Sequence, residues 1–142
     1  MEPIISWYIQ DDNEYAQYDN YYLGAFNYQE KIILNIQVWN NRYGEDEVDS
    51  IDNAKLLLYF NNAEDVFILN YCKIYVAGTP IKPTIEIDRG YANIGKLSGS
   101  INDGLDTTKN KNNFKDIQIV FSNLPANLRQ GLKEMFLDIQ AN

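Results

Sequence analysis

Residues 31–40 read KIILNIQVWN. Ile32, Leu34, Ile36 and Val38 occupy every second position, and Ile33, Asn35, Gln37 and Trp39 fill the positions between. Side chains alternate across a strand with a period of two, so one set faces a core and the other faces away. The same period recurs downstream. In NAKLLLYF (53–60) Ala54, Leu56, Leu58 and Phe60 share a face. In VFILNYCKIYV (66–76) Val66, Ile68, Cys72, Ile74 and Val76 share one, with Asn70 interrupting, while Phe67, Leu69, Tyr71 and Tyr75 take the other. IKPTIEID (81–88) puts Ile81, Ile85 and Ile87 inward, and its Pro83 points to a sheet edge, where a missing N–H breaks no ladder. FKDIQIVF (114–121) groups Ile117, Ile119 and Phe121.

The intervening stretches NNRYGEDE, FNNAED, VAGTP, DRGYANIG and SNLPAN are rich in Asn, Asp, Gly and Pro, which is turn chemistry. Strands separated by such signals at short intervals predict an all-β, antiparallel sandwich of about seven to nine strands. The polar stretch 100–113 reads as a mobile loop. At the N-terminus IISWYIQ predicts a strand, DDNEYAQYDNYY a polar tyrosine-rich loop, and LGAFNYQEK a second short strand. The C-terminal LPANLRQGLKEMFLDIQ fits either a long helix, through Leu124, Leu128, Leu132, Met135, Phe136 and Ile139, or a strand, through Met135, Leu137 and Ile139. Gly131 weakens a continuous helix by about 1 kcal/mol, which favours one helical turn at 126–130 and a last strand from Leu132.

The chain has 142 residues, 45% of them hydrophobic, which suits a single domain over 1–142. No apolar run approaches the roughly 20 residues of a membrane span, and the N-terminus lacks the basic and apolar regions of a signal peptide. The net charge of −8 opposes nucleic acid and anionic membrane surfaces as partners, since both are held by clustered Lys and Arg. With one cysteine, Cys72, and no histidine, the chain has no intrachain disulfide, Ser-His-Asp triad, Cys-His pair or His-based metal site. Cys72 reads as a small buried hydrophobe, and synthesis in a reducing cytoplasm is expected.

The succession SWYIQDDN, LGAFNYQEK, NIQVWNNRYG, VDSIDNAKLLLYF and LPANLRQGLKEMFLDIQ resembles small immunoglobulin-like β-sandwich proteins of bacteriophage particles and prophages. Trp7-Tyr8 matches the opening strand of that group, Trp39-Asn40-Asn41 the end of its apolar strand, and Pro125 with Gly131 the approach to its last strand. The resemblance implies an immunoglobulin-like frame and a virion- or tail-associated structural or adhesion role. It implies no catalytic residues.

Two constellations remain. Glu45, Asp46, Glu47, Asp49 and Asp52 crowd one loop, and Glu64 and Asp65 lie in the next. If both loops meet at one end of the sandwich, Glu45, Asp46, Asp49, Asp52, Glu64 and Asp65 form a candidate calcium site, although the spacing is not that of an EF-hand. The leading reading of these residues is a solvated acidic loop that also blunts strand edges, with calcium second and a basic partner third. The second constellation is aromatic. Phe67, Tyr71 and Tyr75 form a stripe, Trp39, Asn40, Asn41 and Tyr43 surround a turn, and Trp7, Tyr8, Tyr15, Tyr18, Tyr21, Tyr22, Phe26 and Tyr28 crowd the N-terminus. Aromatic faces flanked by amides anchor protein interfaces or stack on sugar rings. Paired carboxylates such as Glu86/Asp88 and Glu134/Asp138 fall on solvent faces, and no phosphate-binding glycine loop occurs, so no enzymatic activity is expected. The leading expectation is a non-enzymatic module that self-associates or docks other virion or tail subunits. The runner-up is a carbohydrate-binding module. No cofactor is expected beyond that possible calcium.

Overall fold

A computed structural model describes residues 1–11, 14–18, 24–25, 31–124, 132–133 and 135–140. The fold is all-β, with antiparallel strand pairing throughout the described residues. The strands are β1 (Ile5–Asp11), β2 (Glu14–Tyr18), β3 (Gly24–Ala25), β4 (Ile32–Asn40), β5 (Ile51–Phe60), β6 (Cys72–Val76), β7 (Thr79–Ile81), β8 (Thr84–Ile85), β9 (Gly90–Leu97), β10 (Phe114–Phe121), β11 (Leu132–Lys133) and β12 (Met135–Gln140). One sheet has the order β2-β1-β4-β10-β6-β7, a second the order β12-β5-β9-β8, and β11 pairs with β3. No helix among the described residues is long and apolar enough to cross a membrane.

The apolar faces predicted from the period of two meet between the two larger sheets. Leu34, Ile36 and Val38 of β4, Ile74 and Val76 of β6 and Ile117, Ile119 and Phe121 of β10 pack with Ala54, Leu56, Leu58 and Phe60 of β5 and Met135 and Leu137 of β12. Burying one such Leu or Ile side chain stabilises by about 1.5–3 kcal/mol, which makes this layer the main source of stability.

The expected strand at 66–76 is corrected. Ala63–Tyr71 is a 3₁₀ segment, and only Cys72–Val76 is a strand. The burial repeats every third residue: Glu64, Phe67 and Asn70 are exposed, while Asp65, Ile68, Val66 and Leu69 are buried. Three residues per turn is the 3₁₀ period. The segment carries the chain from β5 in one sheet to β6 in the other, and buries Val66, Ile68 and Leu69 on the way. Phe67 therefore does not share a face with Tyr75.

Four further expectations change. IKPTIEID is divided between β7 and β8, which lie at the edges of different sheets, with Pro83 between them. Its Ile87 is 93% exposed, at the tip of a turn closed by the Glu86 N–H donating to the Arg89 carbonyl at 2.7 Å. The predicted turn DRGYANIG is largely strand β9, whose Gly95 sits at φ +87 where its register with β5 shifts. Residues 14–18 form strand β2 against β1, in place of part of a polar loop. The stretch 100–113 is packed, with Gly104, Asn110 and Asn113 buried. The last strand is β12, in agreement with the strand reading, and it pairs with β5 from Met135↔Phe60 to Gln140↔Lys55. The turn proposed at 126–130 lies outside the described residues.

Cys72 is buried, as expected, and burial pushes its thiol up to about 12. At pH 8 the reactive thiolate is thus almost absent from the folded protein. Labelling by a disulfide reagent at pH 8 is expected to run at least ~100-fold slower in native buffer than in urea, because it waits on opening of the fold. Comparable rates in the two buffers would contradict a buried Cys72.

Candidate binding surface on the six-stranded sheet

The outer face of the six-stranded sheet carries an open concave surface. Its centre is the β6–β7 hairpin. Ala77 (φ 49) and Gly78 (φ 85) form a two-residue turn with both residues left-handed, the geometry that matches the twist of a hairpin. The register is Ile74↔Ile81, Tyr75↔Pro80 and Val76↔Thr79. Because Cys72, Ile74 and Val76 are buried, Lys73 and Tyr75 face outward by alternation. A groove of about 570 Å³ lies over this hairpin, lined by Tyr71, Lys73, Tyr75, Pro80 and Lys82, and by the polar side chains of Asn70, Ser122 and Asn123. The Ser122 N–H donates to the Tyr71 carbonyl at 3.1 Å, which joins the end of β10 to the start of β6 at one wall. A smaller depression of about 260 Å³ lies on the other side of Tyr75, where Gln118 donates from Nε2 to Oδ1 of Asn35 at 3.0 Å. Tyr75 thus stands between two recesses, with a platform ring and several amides within reach.

Tyr71 and Tyr75 both line this groove, Tyr71 being half-buried against the core. Phe67 is 40% exposed but does not line the groove. Of the candidate ligand residues at the far end of β4, Trp39, Asn40 and Asn41 are corrected, because they are buried, whereas Tyr43 is exposed. Trp39 is fully buried. Its ring stacks on Phe114 with centroids 4.6 Å apart, and its Nε1 donates to Oε1 of Gln37 at 2.6 Å. The Arg42 guanidinium covers it at 4.6 Å from the ring centroid and Tyr8 at 4.3 Å, while Arg42 Nε donates to the Gly104 carbonyl at 2.9 Å. Tyr43 is 61% exposed, 5.2 Å from the same guanidinium.

Asn40 and Asn41 spend their side chains on backbone. Asn40 Oδ1 accepts from the Ile4 N–H at 3.0 Å, and its Nδ2 donates to the carbonyls of Asp49 at 3.0 Å and Leu97 at 3.2 Å. Asn41 Nδ2 donates to the carbonyls of Asp46 and Gly99, both at 2.9 Å. Asn102 Nδ2 donates to the Asn41 carbonyl at 2.7 Å, and Asn113 Nδ2 to the carbonyls of Ser98 at 2.9 Å and Ser100 at 3.0 Å. This asparagine lattice holds the stretch 100–113 in place. Next to it, the Asn110 amide and the Leu105 N–H donate to Asp103, which holds that carboxyl below its usual value. No sequence motif flags the lattice, because its members are distant in the chain.

The two acidic loops do not converge. Glu45, Asp46, Glu47 and Asp49 are exposed in the loop before β5, and Asp52 is exposed near its start. Glu64 is exposed and Asp65 buried just beyond the end of β5. The ten residues of β5 separate the two groups, a span of roughly 30 Å at about 3.3 Å per residue. Asp49 pairs with the terminal amine at 3.8 Å, an exposed contact of little energetic weight. Among the described residues no group of three or more His, Cys, Asp or Glu side chains is placed to hold a metal ion. Tyr21, Tyr22, Phe26 and Tyr28 lie outside the described residues, and the side chains of Tyr15 and Tyr18 do too. The chain matches no family model, no curated protein and no solved structure.

Proposed function

We propose that the chain is a non-enzymatic recognition module with an immunoglobulin-like sandwich frame, associated with a phage or prophage particle, and that the groove over Tyr71 and Tyr75 is its contact surface. The particle setting rests on the sequence resemblance. The use of the groove rests on one observation: two tyrosines, a proline and three small polar side chains line the same open recess. Rings give a stacking platform, and amides and hydroxyls offer both donors and acceptors to sugar hydroxyls. A glycan is therefore the occupant best matched to the groove. Docking of a neighbouring subunit is the second reading. It is favoured by Ile33, which is 51% exposed on the same sheet face and pairs with Val120 of β10 next to Lys73.

The test is a glycan array with the intact protein and Tyr75→Ala, combined with sedimentation over a range of protein concentrations. Retention of glycans by the wild type and a loss of ~10-fold or more in affinity for Tyr75→Ala are expected, as for an anchor residue. An unliganded wild type whose sedimentation coefficient rises with concentration would favour the subunit reading instead.

A further inference from the structure

We infer that the groove selects an anionic glycan, whose acidic group sits between Lys73 and Lys82; this rests on the glycan reading above. The chain carries 20 Asp and Glu against 12 Lys and Arg. The groove reverses that balance, since among the described residues its lining includes Lys73 and Lys82 and no carboxylate. The two lysines lie close to one another at the end of the hairpin. Ile74 pairs with Ile81 as its last pair, Lys73 and Lys82 each stand one residue beyond it, and both are exposed and line the groove. Like charges placed close to one another on a sheet repel. Among the described residues neither lysine has a carboxylate partner. An anion seated between them converts a repulsive pair into two attractive contacts. The negative charge elsewhere on the chain opposes this weakly, because salt screens exposed charges beyond roughly 8 Å.

The neighbouring side chains favour a sugar over an acidic peptide. Tyr75 and its partner Pro80 line the groove beside the lysines, and Asn70, Ser122 and Asn123 add small polar side chains to the same lining. A peptide that added as a strand beside the groove would have to pair with β7, the edge strand on that side of the sheet, which is three residues long with Pro80 at its centre. Proline offers no N–H, so that edge is a poor template.

Matched probes test this on the intact protein: sialyllactose against lactose, trigalacturonate against galactotriose, and oligoglutamate as an anionic peptide. The expected result is that at least one acidic saccharide binds ~10-fold or more tightly than its neutral counterpart at about 0.15 M salt, the effect of two favourable exposed charge contacts. The preference should shrink as salt rises. The double variant Lys73→Met/Lys82→Met should erase the preference while neutral-sugar binding persists, and Tyr75→Ala should weaken both members of a pair. Equal binding of acidic and neutral sugars overturns the charge selection but leaves the glycan reading standing. Binding of oligoglutamate as tight as that of the acidic sugar also overturns it. No binding of any saccharide overturns both.

Discussion

Gly99→Ala is expected to lower the melting temperature by roughly 10 °C, one of the two largest effects anticipated here. An ideal Cβ at Gly99 would lie 2.1 Å from the Val48 carbonyl oxygen, 2.7 Å from its carbonyl carbon and 2.8 Å from the Asp49 carbonyl oxygen. Those neighbours are backbone and cannot rotate aside. They are also tied down: the Val48 N–H donates to the Gly99 carbonyl at 3.0 Å, and the Gly99 N–H donates to Ser50 Oγ at 3.0 Å. A methyl group forces these chains apart and breaks both bonds, together with the Asn41 contact to the same carbonyl. Overpacking of about 2–3 kcal/mol plus strained hydrogen bonds gives a loss of about 3 kcal/mol. For a domain of this size that corresponds to roughly 10 °C. Gly78→Ala is the control. It has positive φ but nothing within 4 Å of the added Cβ, so it should cost only about 1–2 kcal/mol of backbone strain. Differential scanning calorimetry of both variants settles the point. Equal melting temperatures for them would mean that the close approach at Gly99 does not exist in solution.

The core of this fold is written in the sequence because strand alternation is a local signal. The inward sets in β4, β5, β6 and β10 are buried as the period of two requires. The failures occur where the chain leaves that period. In 63–71 the apolar residues are nearly contiguous, so alternation and a repeat of three fit equally well from sequence. The need to cross between sheets decided for the 3₁₀ repeat. In β9 the glycines resembled turn punctuation, whereas Gly90 is a close approach to Leu69 and Gly95 a register shift. The candidate surface divides in the same way. Tyr75 faces outward because its neighbours in β6 alternate, and that was readable. The closeness of Lys73 and Lys82 depends on the β6–β7 register, and the convergence on Tyr71 of Asn70, Ser122 and Asn123 depends on β10 lying beside β6. Neither pairing has a local signature. The Trp39-Asn40-Asn41 motif was legible as special, but its polar residues looked available to a ligand because burial cannot be read from residue type.

Asn40→Ala is expected to cost about 3–4 kcal/mol, and Asn40→Asp more than that at neutral pH. Asn40 is fully buried, and its amide satisfies one N–H and two carbonyls from three separate segments: the N-terminal strand at Ile4, the acidic loop at Asp49 and the end of β9 at Leu97. Truncation leaves three backbone groups short of a partner in a site closed to solvent. Each unmade buried bond costs about 1–3 kcal/mol, and partial relaxation keeps the sum near the lower end. The aspartate tests geometry separately from volume. It fills the same space and still accepts from Ile4, but its second oxygen faces the Asp49 and Leu97 carbonyls, where the amide donated. Burial and those two oxygens disfavour the charged form, so the folded pKa of the new carboxyl lies above its unfolded value of about 3.9. For a carboxyl shifted in that direction the penalty is absent below the unfolded value and grows as pH rises toward the folded one. Below that range the protonated acid donates again to one carbonyl. The gap in unfolding free energy between wild type and Asn40→Asp, measured by urea titration, should therefore be smallest near pH 4 and widen toward pH 7. The Asn40→Ala gap should stay flat over the same range. A pH-independent gap for the aspartate variant would mean that the amide at position 40 does not bridge those carbonyls. The acidic loop would then be held by Asn41 at Asp46 and not by Asn40 at Asp49.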